Sequence, residues 1–178
     1  QNKIISIIIP TYNEYKNLPI LLDQLLNLET IFEKEIIIVD DNSSDGTQNL
    51  ARSYSQNDRR IRLISRLGRS GLSSAIKEGC LCASGDLIVI MDADGQHEPN
   101  SIINGLEKFN NKNIDIIIGS RFLEESIIKG LSSKRESGSS IANFLARITL
   151  HSGYKKLTDY MTGFILLKRN SCIKYIEK

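Results

Sequence analysis

The chain has 178 residues, 40% of them hydrophobic and 25% charged, a composition that supplies one sizeable core and sets one domain as the expectation. Its formal net charge of +2 is too near balance to imply nucleic acid on charge alone, although five arginines lie between Arg59 and Arg69. No apolar run approaches the ~20 residues of a membrane-spanning helix, and no basic segment with an apolar stretch opens the chain as in a secretory signal.

In chain order, the first apolar run is IISIII, residues 4 to 9. Leu18, Leu21, Leu22 and Leu25 then fall at i, i+3, i+4 and i+7, the spacing of a helix with one buried face. EIIIV (35 to 39) comes next, and Asp45 before GTQNLARSY predicts a second helix with Asp45 as its N-cap. After IRLI (61 to 64), Gly71 opens a segment whose Leu72, Ala75, Ile76, Gly79 and Cys80 form a small-residue face for close packing. LIVIM (87 to 91) leads to Pro99, suited to a first helical turn, and a stripe of Ile102, Leu106 and Phe109. DIIIG (115 to 119), a polar Gly/Ser-rich stretch from 123 to 140, a helical stripe of Ile141, Phe144, Leu145 and Ile148, and FILL (164 to 167) complete the chain.

The apolar runs are near-continuous rather than alternating, as in strands covered on both faces of a parallel sheet. Helical segments between them predict a three-layer α/β/α sandwich with a mostly parallel central sheet. Cys80, Cys82 and Cys172 are an odd number in no metal-ligand spacing, which predicts packed thiols in a reducing compartment.

Ligands of open α/β sheets bind beyond the carboxyl ends of the strands. The segments after the apolar runs are polar: PTYNE, DDNSSDGT, SRLGRSG, DADGQ and SRF. If the chain stays extended through DAD, Asp92 and Asp94 project to one side while Ala93 faces away. Two carboxylates completed by water and phosphate oxygens form a hard oxygen shell, suited to Mg2+ or Mn2+ and not to zinc. Asp40 and Asp41, being adjacent, point oppositely; Asp41 is the expected cleft residue, and Asp40, Ser43, Ser44 and Asp45 are expected to bond loop groups. Pro10 is expected to stiffen a turn, and Tyr12 with Glu14 offers a stacking face and a carboxylate for a nucleobase. Arg66, Arg69 and Arg121 are candidates to neutralise a diphosphate. Lys134 and Arg135, in the long polar stretch, are candidates for a phosphate acceptor. His97 is read as a solvated loop residue and His151 as a helix cap. IIIVDDN imitates the acidic pair of a phosphorelay receiver, but GSRF after the fifth run lacks the required lysine, and Pro10 stands where a dinucleotide-binding fold needs glycines.

Taken together, PTYNE, VDDNSSDGT, GLSSAIKEG, MDADGQHEP, GSRF and TDYMTGF resemble the family 2 glycosyltransferases of GT-A fold, most of all the dolichol- and polyprenol-phosphate mannosyl- or glucosyltransferases. The resemblance runs from Ile5 to about Arg169. It implies inverting, metal-dependent transfer of a hexose from GDP-mannose or UDP-glucose to a lipid phosphate. By position it implies that Pro10, Tyr12, Glu14, Val39 and Asp41 hold the nucleoside. Asp92, Ala93, Asp94 and Gln96 would hold the sugar diphosphate, with Asp92, Asp94 and Gln96 at the Mg2+ or Mn2+ ion. Arg121 would meet the donor, and Asp159 the acceptor side. Transfer to a sugar hydroxyl and a non-catalytic nucleotide-sugar module are the alternatives. The expectation is one catalytic domain over 1–178, truncated at its C-terminus, working at the cytoplasmic face of a membrane beside a membrane domain or missing segment, without nucleic acid.

Overall fold

A computed structural model describes residues 3–109, 114–119 and 163–176. In chain order the elements are β1 (Ile4–Thr11), α1 (Leu18–Asn27), β2 (Glu33–Asp40), α2 (Thr47–Asn57), β3 (Ile61–Ser65), α3 (Leu72–Cys82), β4 (Leu87–Met91), α4 (Asn100–Phe109), β5 (Ile116–Ile118), β6 (Phe164–Lys168) and α5 (Arg169–Ile176). The six strands form one sheet of order β3-β2-β1-β4-β6-β5. β1 pairs in parallel with β2 and β4, and β2 with β3. β6 runs antiparallel to both β4 and β5.

Two cores result from the strand alternation. Ile5, Ile7 and Ile9 of β1, Ile36 and Ile38 of β2, Val89 and Met91 of β4, and Phe164 and Leu166 of β6 face one way, where α1, α2 and α4 cover them. The intervening Ile8, Ile37, Val39, Ile88, Ile90, Ile165 and Leu167 face α3. β1, β2, β4 and β6 are thus covered on both sides, which is why each contains a near-continuous apolar run. α3 comes closest: a Cβ on Gly79 would lie 2.5 Å from Cγ2 of Ile8 and 3.1 Å from Cγ2 of Val39. Only glycine lets the helix settle that near the sheet.

α1 buries Leu18, Leu21, Leu22 and Leu25, the four leucines of the predicted stripe. At its end Lys34 Nζ donates to the carbonyls of Leu25, Leu26 and Leu28 at 2.7–2.9 Å, satisfying oxygens that no helical amide can reach. Cys80 is buried in the α3 core as expected of a packed thiol, whereas Cys82 is exposed. Among the described residues no helix is long and apolar enough to cross a membrane.

Candidate functional site at the carboxyl edge of the sheet

β1, β2, β3 and β4 all point the same way, so the loops after them gather along one edge. Two are stapled together. Asn13 N–H donates to Ser43 Oγ (2.9 Å) and Ser44 N–H to Asn13 Oδ1 (3.0 Å). Glu14 N–H donates to Thr47 Oγ1 (2.9 Å) and Tyr15 N–H to Asp45 Oδ2 (3.1 Å). Asn13 and Asn42 take left-handed φ of 58° and 57°, a conformation asparagine tolerates better than most residues. Asp45 is not the N-cap itself. That position belongs to Gly46 at φ 98°, and Asp45 bonds the first helical residue through Thr47 N–H (3.0 Å) and Thr47 Oγ1.

Pro10 lies inside β1, not in the turn after it. β4 pairs with β1 only as far as Ile8, so the proline's missing N–H falls where β1 has a neighbour on one side alone, β2 through Val39. Tyr12 is 62% exposed at the edge. Glu14 is half-buried, its Oε2 accepting from Asn17 Nδ2 at 2.8 Å. Val39 is fully buried and packs against α3, so any part it plays toward a ligand falls to its main chain.

Asp40 and Asp41 diverge as adjacent strand residues must. Asp40 is wholly buried and accepts from Thr11 Oγ1 (3.0 Å), Ser43 N–H (3.0 Å), Ser43 Oγ (2.6 Å) and Gln48 Nε2 (3.4 Å). Asp41 reaches toward the start of α3, where Gly71 N–H donates to its Oδ2 at 2.8 Å and Arg66 Nη1 to its Oδ1.

Arg66 departs most from the sequence reading. It is 1% exposed, and its guanidinium also donates to Glu78 Oε2 (3.0 Å), Gly71 O (3.2 Å) and Ser74 Oγ. A group so committed is not available to a diphosphate; it anchors the β3–α3 loop to β2. Arg69, 61% exposed, pairs with the other oxygen of Glu78 at 2.9 Å. Within a turn written SRLGRSG, nothing local distinguishes the buried arginine from the exposed one. The signal is Glu78 and Ser74 on the facing turns of α3.

One residue beyond β4 the chain turns. The strand ends at Met91, Ala93 and Asp94 lie in a turn, and Gly95 comes next at φ 75°. The alternation expected to align Asp92 with Asp94 therefore stops one residue too early. Its other half holds: Ala93 is buried in the core beneath. Asp92 is half-buried and Asp94 exposed, and Asp94 Oδ1 accepts from Gln96 N–H at 3.0 Å. The His97 ring lies 5.9 Å from that of Phe164, an aromatic pairing in place of the solvated loop position expected. Arg121, Asp159, Lys134, Arg135, His151 and the 123–140 stretch lie outside the described residues.

This edge suits a hard divalent ion shared with a ligand. Asp92 and Asp94 offer carboxylate oxygen without sulfur. Among the described residues no three His, Cys, Asp or Glu side chains gather to enclose an ion; phosphate and water oxygens are ligands that Mg2+ readily accepts beside one or two carboxylates.

The mixed sheet, with β6 reversed among otherwise parallel strands, is a sheet of GT-A type. The chain belongs to glycosyl transferase family 2, whose family model matches residues 6–176. It is 37% identical over 165 residues to a Pyrococcus furiosus protein named dolichol-phosphate mannosyltransferase, covering 93% of this chain and 46% of that one. It is 33% identical over 186 residues to a dolichyl-phosphate beta-glucosyltransferase of Trichomonas vaginalis, covering 94% and 54%. The chain thus spans about half the length of these curated relatives. Among solved structures, a mannosyltransferase from Pyrobaculum calidifontis in complex with GDP-Man and Mn2+ aligns with TM-score 0.62 at 18% identity, over 96% of this chain and 46% of that one. Glucosyl-3-phosphoglycerate synthase from Mycobacterium tuberculosis in complex with UDP aligns with TM-score 0.66 at 18% identity, over 94% and 57%. Those two likenesses concern the fold.

Proposed function

We propose that this chain carries the donor-binding part of an inverting, metal-dependent hexosyltransferase that moves mannose or glucose from a GDP- or UDP-sugar to a polyprenol or dolichol phosphate. The observation that carries the reading is the carboxylate pair Asp92 and Asp94 at the end of β4, on the edge that Tyr12, Glu14 and Asp41 share, in a family 2 chain. The relatives' names support the lipid phosphate acceptor, and the Mn2+ complex of a structural neighbour supports the metal.

On this reading Asp94, with Asp92 and Gln96, holds Mg2+ or Mn2+, which when bound supplies Lewis-acid stabilisation of the departing diphosphate. Tyr12 offers its exposed ring to the base, and Glu14 and Asp41 offer carboxylate acceptors to base or ribose donors. Asp41 comes to this task already oriented by Arg66 and Gly71, so little ordering is left for the ligand to impose. Buried Ala93 fixes the turn that separates the two metal-side carboxylates. Arg121 is assigned to the donor phosphates and Asp159 to the acceptor side. A phosphate acceptor, with a second pKa of about 6, is largely ionised at neutral pH and has no hydroxyl proton to surrender. Asp159 then orients rather than deprotonates.

The test is a thermal-shift panel of GDP-mannose, UDP-glucose, GDP and UDP, each with and without Mn2+, followed by product analysis with a polyprenyl phosphate. A ligand at a thousand times its Kd stabilises by about 4 kcal/mol, so one nucleotide sugar should raise the melting temperature by several degrees only when metal is present. Absence of any metal-dependent shift would sink the reading, and glycosylation of a sugar hydroxyl alone would replace the acceptor class.

A further inference from the structure

We infer that Gly163 is a positioning residue for Asp92: its bare Cα is the space in which the Asp92 carboxylate sits. β4 and β6 pair antiparallel as far as Met91 with Phe164, which sets Asp92 opposite Gly163 at the next step. The ladder continues there, since Asp92 N–H donates to Gly163 O at 3.0 Å. A Cβ on Gly163 would stand 2.2 Å from Asp92 Oδ2, 2.7 Å from its Cγ and 3.0 Å from its Cβ. No real Cβ tolerates the first two distances. Gly163 has no left-handed φ, so backbone conformation does not require glycine at this position. Closeness to Asp92 does.

The two atoms in outright clash, Oδ2 and Cγ, move when the Asp92 side chain rotates, and Cβ at 3.0 Å asks for a shift of only a few tenths of an ångström. A methyl group at 163 would therefore be accommodated mainly by turning the carboxylate away, which largely spares the fold and displaces one of the groups the metal reading needs in place. TDYMTGF accordingly contributes to the metal side of the cleft through its glycine, opposite the carboxylate. The inference rests on Asp92 being a ligand of the ion.

Gly163→Ala, Asp92→Asn and, as a control, Gly105→Ala would be compared. A Cβ on Gly105 would meet only the Leu166 side chain, at 2.8 Å from Cδ2, remote from the acidic edge. Mn2+ binding is read by the electron paramagnetic signal of free Mn2+ in the presence of UDP or GDP, alongside melting temperature. Gly163→Ala should melt within ~5 °C of the parent and bind Mn2+ ~10–100-fold more weakly, the loss typical when a ligand's support is removed. Gly105→Ala should bind as the parent does. Parental Mn2+ binding by Gly163→Ala, with Asp92→Asn impaired, would overturn the role of Gly163 and leave the metal reading intact. Unimpaired binding by Asp92→Asn would overturn the metal reading itself. Should Gly163→Ala melt far lower, the same change in an Asp92→Ala background decides: a much smaller loss there locates the clash on the Asp92 carboxylate, and an equal loss refutes it.

Discussion

β2 and β4 flank β1 in the same sheet, and each hands an acidic pair to the same edge, yet the pairs are used differently. Asp40 and Asp41 are absorbed by the fold: hydroxyls, amides and a buried guanidinium take up their oxygens. Asp94, in the other pair, is exposed and accepts one bond from the amide two residues on. The difference arises from where each strand stops. β2 stays extended to Asp40, so its acids emerge among the backbones of neighbouring loops, which supply donors. β4 ends before Asp92, and Asp94 rides on a turn that carries it outward. Carboxylates spent on structure stabilise the protein; a carboxylate held toward solvent is available to a cation.

The sharpest way to break that contrast is to neutralise Asp94 in one pair and, for the other, the arginine that holds Asp41. Asp94→Asn should cost transferase turnover on the order of a thousandfold, because a charge pair at ~4 Å in an effective dielectric of ~20 is worth roughly 4 kcal/mol. Its unfolding free energy should change by less than about 0.5 kcal/mol, as at other exposed positions. Kinetics at saturating Mn2+ with parallel urea unfolding would check both halves. A large loss of stability would place Asp94 with the structural pair and end the distinction.

The structural pair answers to Arg66. Arg66→Met keeps an apolar stem in the buried site but leaves Asp41 and Glu78, 11% and 25% exposed, without their shared cation. Breaking one partner of a buried ion pair costs about 3–5 kcal/mol, and partial exposure of the two acids places the expectation near ~3 kcal/mol. The urea midpoint should fall accordingly. Donor affinity should fall as well, since Asp41 loses its anchor, and Arg66→Lys should recover part of each loss. A stable Arg66→Met protein would mean that the Asp41 site is solvated enough to carry its own charge.

How much of the molecule is legible in its sequence divides along physical lines. The strands are, because burial on both faces forces unbroken Ile and Val; so is the opposition of Asp40 and Asp41, which needs only a strand long enough to contain the first of them. The reversal of β6 is not, since FILL is an equally apolar run in either direction. Asp94 resembles a strand residue because nothing in MDAD says where pairing stops; that is decided by β1 and β6, whose ladders with β4 end at Ile90 and Met91. Arg66 looks like a free cation since its counter-charges lie one strand back and, beyond a loop, in the second turn of the next helix. Gly163 appears only as part of a motif, because its purpose is a distance across a ladder.

The smallest effect extends the comparison to the opposite edge of the sheet. Near the start of β2, Glu35 Oε2 accepts from Ser6 Oγ (2.6 Å), Ser84 N–H (2.9 Å) and Ser84 Oγ (3.0 Å), and Oε1 accepts from Arg62 Nη1 (2.6 Å). Burial alone would push this carboxyl up, but the bonds from Ser6, Ser84 and Arg62 outweigh it and hold its pKa below the ordinary 4.5. A pKa lowered on folding means that the carboxylate's stabilisation is complete above the unfolded-state value and is lost as pH falls through the folded one. Glu35→Gln should therefore cost about 1–2 kcal/mol at pH 7, the scale of hydrogen bonds to a charged group, and the gap between the two proteins should narrow in acid, below the ordinary 4.5, as the parent's carboxylate takes up its proton. Urea unfolding at neutral and at acid pH separates charge from shape. An offset that stayed constant would mean that the amide's misplaced donor, not the missing charge, carries the loss, and Glu35 would then leave the class of carboxylates that the fold uses as ions.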